Sequence, residues 1–102
     1  MEKLQDIARA IKSANAGASW ITFDIMFSSE ESYARVRDSG IINSSLFASV
    51  YGVPESQVEV YNCGPAWTIK VTMPRRTMFG GPDETDFDGV QQYVPLLNVA
   101  IP

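Results

Sequence analysis

The stretch Trp20-Ile21-Thr22-Phe23-Asp24-Ile25-Met26-Phe27 is the longest apolar-rich run of this chain, and its residues alternate in character. Side chains of a β-strand point in turn to its two faces, so a period of two separates an inner from an outer set. The inner set is Ile21, Phe23, Ile25 and Phe27, and the outer set is Trp20, Thr22, Asp24 and Met26. The pattern predicts a central strand with an apolar core face and a second face that is not wholly buried.

The size and composition of the chain limit what it can do. Its 102 residues predict one domain over residues 1–102. A net charge of −4 argues against nucleic-acid binding, which needs clustered Lys and Arg. Histidine is absent and Cys63 is the single cysteine, so we expect no metal site, no cofactor and no intrachain disulfide. Without an apolar run of membrane-spanning length or a signal-peptide pattern, we expect a cytoplasmic protein with no membrane partner.

The N-terminal segment has a helical pattern. Apolar residues recur at helical spacing at Leu4, Ile7, Ala8 and Ile11. This spacing predicts an amphipathic helix from about Glu2 to Ala14, ended by Asn15 and Gly17. The alternative is that part of this segment pairs as an edge strand, since Leu4-Gln5-Asp6-Ile7 is short enough for either.

Two helices are predicted after the central strand. Ser28 or Ser29 begins the first, because Ser28 and Glu31 have the spacing of a capping box, and Gly40 ends it. Asn43 or Ser44 begins the second, which Gly52 ends. The expected inward residues are Tyr33, Val36, Leu46, Phe47, Val50 and Tyr51.

The second half of the chain predicts a hairpin and then a loop. Gln57 to Asn62 alternates weakly, and Ala66 to Met73 alternates with Trp67, Ile69, Val71 and Met73 inward. Residues 75–89 lack a periodic pattern and are expected to be the most mobile part of the chain. The pattern then predicts one or two turns of helix over Val90 to Leu96 and a last strand from Leu97 to Ile101.

This order of elements from Trp20 onward is the split βαβ plan. The predicted fold class is therefore α+β: a ferredoxin-like antiparallel sheet with helices on one face, plus an N-terminal helix or edge segment. With few helices, one sheet face stays open. Trp20, Met26 and Lys70 on that face are candidate interface residues, and Lys70 is also a candidate ion-pair partner for Asp24.

Other polar residues have competing explanations. Lys12, Ser13, Asn15 and Gly17 either bind a carboxylate or phosphate, or form an ordinary helix C-cap. Asp24 in an apolar strand is either a structural ion-pair member or a proton-handling carboxylate. The acidic tract Asp83 to Gly89 has alternating oxygen ligands but lacks the twelfth-position Glu of a calcium loop, which favours a solvated loop.

The motifs that carry a family resemblance are Leu4-Gln5-Asp6-Ile7-Ala8, Lys12-Ser13-x-Asn15-x-Gly17, Thr22-Phe23-Asp24-Ile25 and Asp86-x-x-Gly89-x-Gln91-Gln92. With them the chain resembles a bacterial family of about 100-residue proteins of unknown function. That family is similar to the ferredoxin-fold C-terminal domain of AtuA, the acyclic terpene utilisation protein. The resemblance implies that Asp86, Gln91 and Gln92 join the Lys12–Gly17 residues as ligand- or partner-binding candidates. AtuA domains have Arg-Ser-Gly-Asp-Lys-Gly where this chain lacks the Asp-Lys pair.

These observations support three candidate functions. The first is a small accessory or interaction subunit beside a larger AtuA-like protein, which the resemblance associates with acid or acyl-CoA catabolism. The second is a hydratase or lyase component whose site forms between chains, with a small carboxylate or acyl-CoA ligand and with Lys12, Asp24 and Asp86 as candidates. The third is a homo-oligomeric module without chemistry. No complete nucleophile–base set is present in the sequence, so we do not expect the chain to be an enzyme on its own.

Overall fold

The computed structural model describes residues 2–17, 19–74 and 93–102. The predictions for the 75–89 loop and for Asp86, Gln91 and Gln92 fall outside these residues and stay predictions. In chain order the elements are β1 (Glu2–Lys3), α1 (Leu4–Ile7), β2 (Ala10–Asn15), β3 (Trp20–Met26), α2 (Glu30–Ser39), α3 (Ser44–Tyr51), β4 (Glu59–Cys63), β5 (Thr68–Pro74) and β6 (Ala100–Ile101), with 3-10 turns at Glu55–Gln57, Gly64–Ala66 and Val94–Leu96.

Four strands form an antiparallel sheet in the order β2-β3-β5-β4. The strand β5 lies between β3 and β4, and the helices α2 and α3 connect those two strands. This is the predicted split βαβ arrangement, so the α+β class and the ferredoxin-like plan are confirmed. The predicted strand Trp20–Phe27 is confirmed as the interior strand β3.

The predicted long N-terminal helix is wrong. Only Leu4–Ile7 is helical, and Ala8 is already extended, with φ −73° and ψ 143°. Arg9 N donates to Met26 O at 2.7 Å, and Ala10–Asn15 pairs along β3 as an edge strand. Part of the segment does pair as an edge strand, as the alternative proposed, but the strand is Ala10–Asn15, whereas Leu4–Ile7 is helical. A helix as short as the predicted one has little stability of its own. Pairing with the central strand β3 therefore outweighs the helical propensity of this segment.

The C-terminal strand is shorter than predicted and does not join the main sheet. It forms at Ala100–Ile101 and pairs antiparallel with β1. Arg35 of α2 binds both chain segments of this small sheet: Nη1 donates to Glu2 Oε1 of β1 at 2.6 Å, and Nη2 donates to the carbonyl oxygen of Pro102, which follows β6, at 3.1 Å. Leu4, Leu96 and Ile101 are fully buried at this end of the core.

Local signals determine both longer helices. Ser29 is the N-cap of α2, with its side chain accepting from Ser32 N at 3.1 Å, so the capping-box register from Ser28 is wrong. Asn43 caps α3, and its Oδ1 accepts from Leu46 N at 2.8 Å. Gly40 and Gly52 end the two helices in the left-handed conformation, as predicted. None of the helices in the described ranges has the length and apolar character needed to cross a bilayer.

The core lies between the sheet and the two helices. Ile21, Phe23 and Ile25 of β3 are buried together with Ile69, Val71 and Met73 of β5 and with Tyr33, Val36 and Phe47 of the helices. Phe23 is at its centre: its ring centroid lies 5.3 Å from that of Phe47 and 5.2 Å from that of Tyr51. Val50, predicted to face inward, is 40% exposed.

Trp67 also differs from its prediction. Its backbone is left-handed, with φ 46°, in the turn that precedes β5, and its side chain is 38% exposed. Trp67 O accepts a hydrogen bond from Phe27 N at 2.9 Å. The alternating pattern predicts a strand from Ala66, but Ala66 belongs to the turn Gly64–Ala66 and Trp67 follows that turn. The inward residues of β5 therefore begin at Ile69.

Candidate functional site

The face of the four-stranded sheet opposite α2 and α3 is called here the open face. Its members follow from the burial pattern of β3 and β5 and from the strand register. They are Ala10, Lys12 and Ala14 of β2, Trp20, Thr22, Asp24 and Met26 of β3, Thr68, Lys70, Thr72 and Pro74 of β5, and Glu59, Tyr61 and Cys63 of β4. The predicted outer set of β3 and β5 therefore does lie on one face.

A row of alternating charge crosses the open face. Lys12 is paired in register with Asp24, Asp24 with Lys70, and Lys70 with Tyr61. Directly opposite side chains on neighbouring strands are about 4.5–5.5 Å apart at Cβ, so each lysine is next to the carboxylate. Lys70 Nζ lies 3.7 Å from Asp24 Oδ1, which confirms the pairing expected for these two residues. The four residues of this row are called the charged row below.

One oxygen of Asp24 is unusual. Its Oδ1 atom is buried and accepts no hydrogen bond within the described part of the chain. The 3.7 Å approach of Lys70 is an ion-pair contact that is too long for a hydrogen bond. Buried polar atoms normally have a hydrogen-bond partner, so the ion-pair contact with Lys70 is what compensates the charge on this oxygen within the described part of the chain.

Two aromatic side chains of the open face are exposed, and one of them belongs to the charged row. Trp20 is 43% exposed and Tyr61 is 48% exposed. Tyr61 OH donates to Glu59, and this hydrogen bond raises the pKa of the Tyr61 phenol above its ordinary value. Trp and Tyr are enriched among residues that dominate binding energy at protein interfaces. The open face therefore combines aromatic contact area with an ordered charge pattern.

Met26 is a weaker interface candidate than Trp20. Its side chain is only partly exposed, and Arg9 Nη2 lies 3.8 Å from its sulfur. It lies at the end of β3, where it pairs in register with Ala10 on one side and Thr68 on the other.

The residues from Lys12 to Gly17 do not share one face of the sheet. Lys12 lies on the open face, whereas Ser13 and Asn15 point to the helix-covered face, because alternate residues of β2 face opposite ways. Ser13 is buried, and its Oγ accepts from Tyr93 N at 3.2 Å. Gly17 lies in the β2–β3 connection with φ 89°. The helix C-cap interpretation of this group is therefore wrong, because Ala10–Asn15 is a strand, and binding of a carboxylate or phosphate by these residues stays a prediction.

Tyr61 is a site residue that the sequence pattern did not indicate. The weak alternation of β4 had placed Glu59 and Tyr61 outward, which is correct, but gave no reason to connect them with Lys70. That connection comes from the register of β4 against β5. Among the residues that the structure describes, no group of three or more Asp, Glu, Cys or His side chains could hold a metal ion.

The described residues form a small α+β domain with a split βαβ sheet. One side of this sheet, the open face, carries the charged row and exposed aromatic residues. The sequence pattern of a protein family described as a domain of unknown function, DUF4387, matches residues 4–100, and the chain belongs to that family. No curated protein and no solved structure matches the chain. The predicted membership of a small family of unknown function is thus confirmed, and the likeness to AtuA stays a prediction.

Proposed function

We propose that this protein is an interaction subunit that binds another protein chain through its open face and carries out no reaction of its own. The observation that supports this best is the pairing of exposed Trp20 and Tyr61 with the charged row on one sheet face. Interface cores are rich in Trp and Tyr, and complementary charge fixes the partner and its register. A face of this composition is therefore suited to docking.

A more specific form of the proposal adds the partner that the resemblance to AtuA implies. In it, the subunit works beside a larger AtuA-like protein in acid or acyl-CoA catabolism. The support is the resemblance of the four quoted motifs, which extend over most of the chain.

Sedimentation and co-purification of the Trp20→Glu variant test the proposal. A carboxylate at the aromatic position should weaken association with a protein partner, whether a second copy or a co-expressed AtuA-like subunit, while circular dichroism shows an intact fold. The matched control is Val50→Glu, because Val50 is 40% exposed but lies on α3, away from the open face. A wild-type chain that stays monomeric at high concentration and binds no AtuA-like subunit would overturn the proposal.

A hydratase or lyase component is the second candidate, and the observation in its favour is the Asp24 carboxylate, whose Oδ1 forms an ion pair with Lys70 but accepts no hydrogen bond within the described residues. A carboxylate oxygen next to lysines can also receive a ligand's donor group or a proton. The test is hydration of small unsaturated acids and acyl-CoAs by the purified chain. We expect no turnover. Robust turnover that is lost in a folded Asp24→Asn variant would replace the interaction proposal with the enzymatic one.

A further inference from the structure

The charged row is complementary to a second copy of itself that runs in the reverse order. Across the sheet it reads Lys12, Asp24, Lys70, Tyr61, or cation, anion, cation, aromatic ring. Reversed, it reads ring, cation, anion, cation. When the two orders are laid against each other, Asp24 faces Lys70 twice and Lys12 faces Tyr61 twice. Cations are attracted to carboxylates and to the faces of aromatic rings, so all four contacts are favourable.

We infer that the chain bound to the open face is a second copy of this protein, related by a two-fold axis that runs parallel to the strands between β3 and β5. This inference rests on the proposed docking role of the open face and adds the identity and the orientation of the partner. A larger subunit would then bind the dimer.

The orientation follows from symmetry. In a face-to-face pair, a two-fold axis parallel to the strands reverses the strand order and keeps each residue at its own level along the strands. This brings Asp24 against Lys70 of the second copy. An axis across the strands through the charged row would bring Asp24 against Asp24 and each lysine against itself. Like charges in direct contact disfavour an interface, so the strand-parallel axis is selected.

The same two-fold axis also gives compatible contacts at two other levels along the strands. Trp20 pairs in register with Pro74, and Thr22 with Thr72, so the reversal places Trp20 over the second copy's Pro74 and one threonine over the other. Face-to-face sheets pack with their strands about 30° apart and about 10 Å between sheets. Lysine and tyrosine side chains are long enough to meet across that separation.

The size of the face indicates how strong the dimer is. Four strands of five to seven residues, spaced about 4.8 Å apart, give a projected footprint of roughly 400 Å² per chain. Stable complexes bury about 800 Å² of accessible surface per partner, so this interface is at the weak end of the range. We therefore expect a dimer whose population depends on protein concentration, and charge contacts should decide whether it forms.

A charge-exchange experiment tests the inference. Asp24→Lys places a lysine against Lys70 of the second copy, and Lys70→Asp places two carboxylates together, so each variant alone should dimerise roughly tenfold or more weakly than the wild type. Mixed in equal amounts, the two variants should form a heterodimer. In that heterodimer the introduced lysine of one chain meets the introduced aspartate of the other, and the two unchanged residues, Lys70 and Asp24, meet as in the wild type.

The Asp24→Lys/Lys70→Asp double variant should recover self-association, because the exchange restores opposite charges at both contacts. Sedimentation velocity over a concentration series measures the wild type, each single variant, their mixture and the double variant.

Glu30→Lys and Lys3→Asp are matched controls, since both residues are exposed and lie outside the four-stranded sheet. Both should sediment like the wild type. Dimerisation of each single variant as strong as that of the wild type, or a folded mixture that does not associate, would overturn the inference. If Trp20→Glu still abolished binding of an AtuA-like subunit in that event, the proposed interaction role would stand without the homodimer.

Discussion

Asp24 of β3 and Lys70 of β5 are directly opposite each other in the register, with Nζ 3.7 Å from Oδ1, and both side chains are partly exposed, 36% and 47% respectively. Water screens a pair in this setting, so its contribution to stability is small. Its position between Lys12 and Tyr61 gives it another role, since it arranges charge in a fixed order across the face. The pair is therefore expected to matter more for the proposed recognition than for folding.

The first prediction separates those two roles. Asp24→Asn should change the free energy of unfolding by less than about 1 kcal/mol, because a partly exposed ion pair contributes only that much. Urea denaturation of Asp24→Asn, Lys70→Met and the double variant gives the coupling energy of the pair. A coupling energy of about 3 kcal/mol or more would mean that the pair is effectively buried and structural.

The second prediction concerns the aromatic centre of the core. Phe23→Ala should destabilise the domain by about 3–5 kcal/mol, because it leaves a cavity beside Phe47 and Tyr51. Val50→Ala is the control: Val50 is 40% exposed, and its change should stay within about 0.5 kcal/mol. Thermal or urea unfolding measures both. A similar loss in the two variants would contradict the central position of Phe23.

The third prediction uses the left-handed end of α2. Gly40 has φ 69°, and the space around its Cβ position is open, so Gly40→Ala tests backbone strain without a steric clash. An L-residue in this conformation costs about 1–2 kcal/mol. Gly64 also has open space but no positive φ, and Gly64→Ala should therefore be close to neutral. Equal stability of the two variants would exclude the left-handed C-cap.

The fourth prediction is a pH dependence. Burial raises the pKa of the Tyr51 phenol above its ordinary value of 10.0. Above about pH 10 the unfolded chain loses this proton while the folded chain keeps it, so stability is intact below that pH and falls as the pH rises. The decline approaches about 1.4 kcal/mol per pH unit for one such group.

Tyr51→Phe provides the comparison for this pH dependence. Its unfolding free energy should fall less steeply between about pH 9 and pH 11 than that of the wild type. Urea denaturation at several pH values measures the slope, and phenolate absorbance of the folded wild type should show a late-titrating tyrosine that is missing from Tyr51→Phe. Equal slopes in the two proteins would refute the assignment to Tyr51.

Signals within a few residues were enough to predict β3 and the two longer helices. The alternation from Trp20 to Phe27 defined the central strand and its buried face. Gly40 and Gly52 marked the helix ends, because a left-handed C-cap favours glycine whatever lies elsewhere in the fold. The beginning of α3 at Asn43 followed in the same way from a side chain that caps its own helix. These features depend on local chemistry, so the sequence by itself determined them.

Pairing between distant segments decided the rest. Ala10–Asn15 has a helical pattern but becomes a strand, because the hydrogen bonds offered by β3 outweigh a small difference in propensity. That change placed Lys12 next to Asp24 and separated it from Ser13. The charged row brings together residues 12, 24, 70 and 61 from four strands, and its order is set by register. Register arises from the packing of whole strands against a shared core, which is why only the tertiary structure decided it.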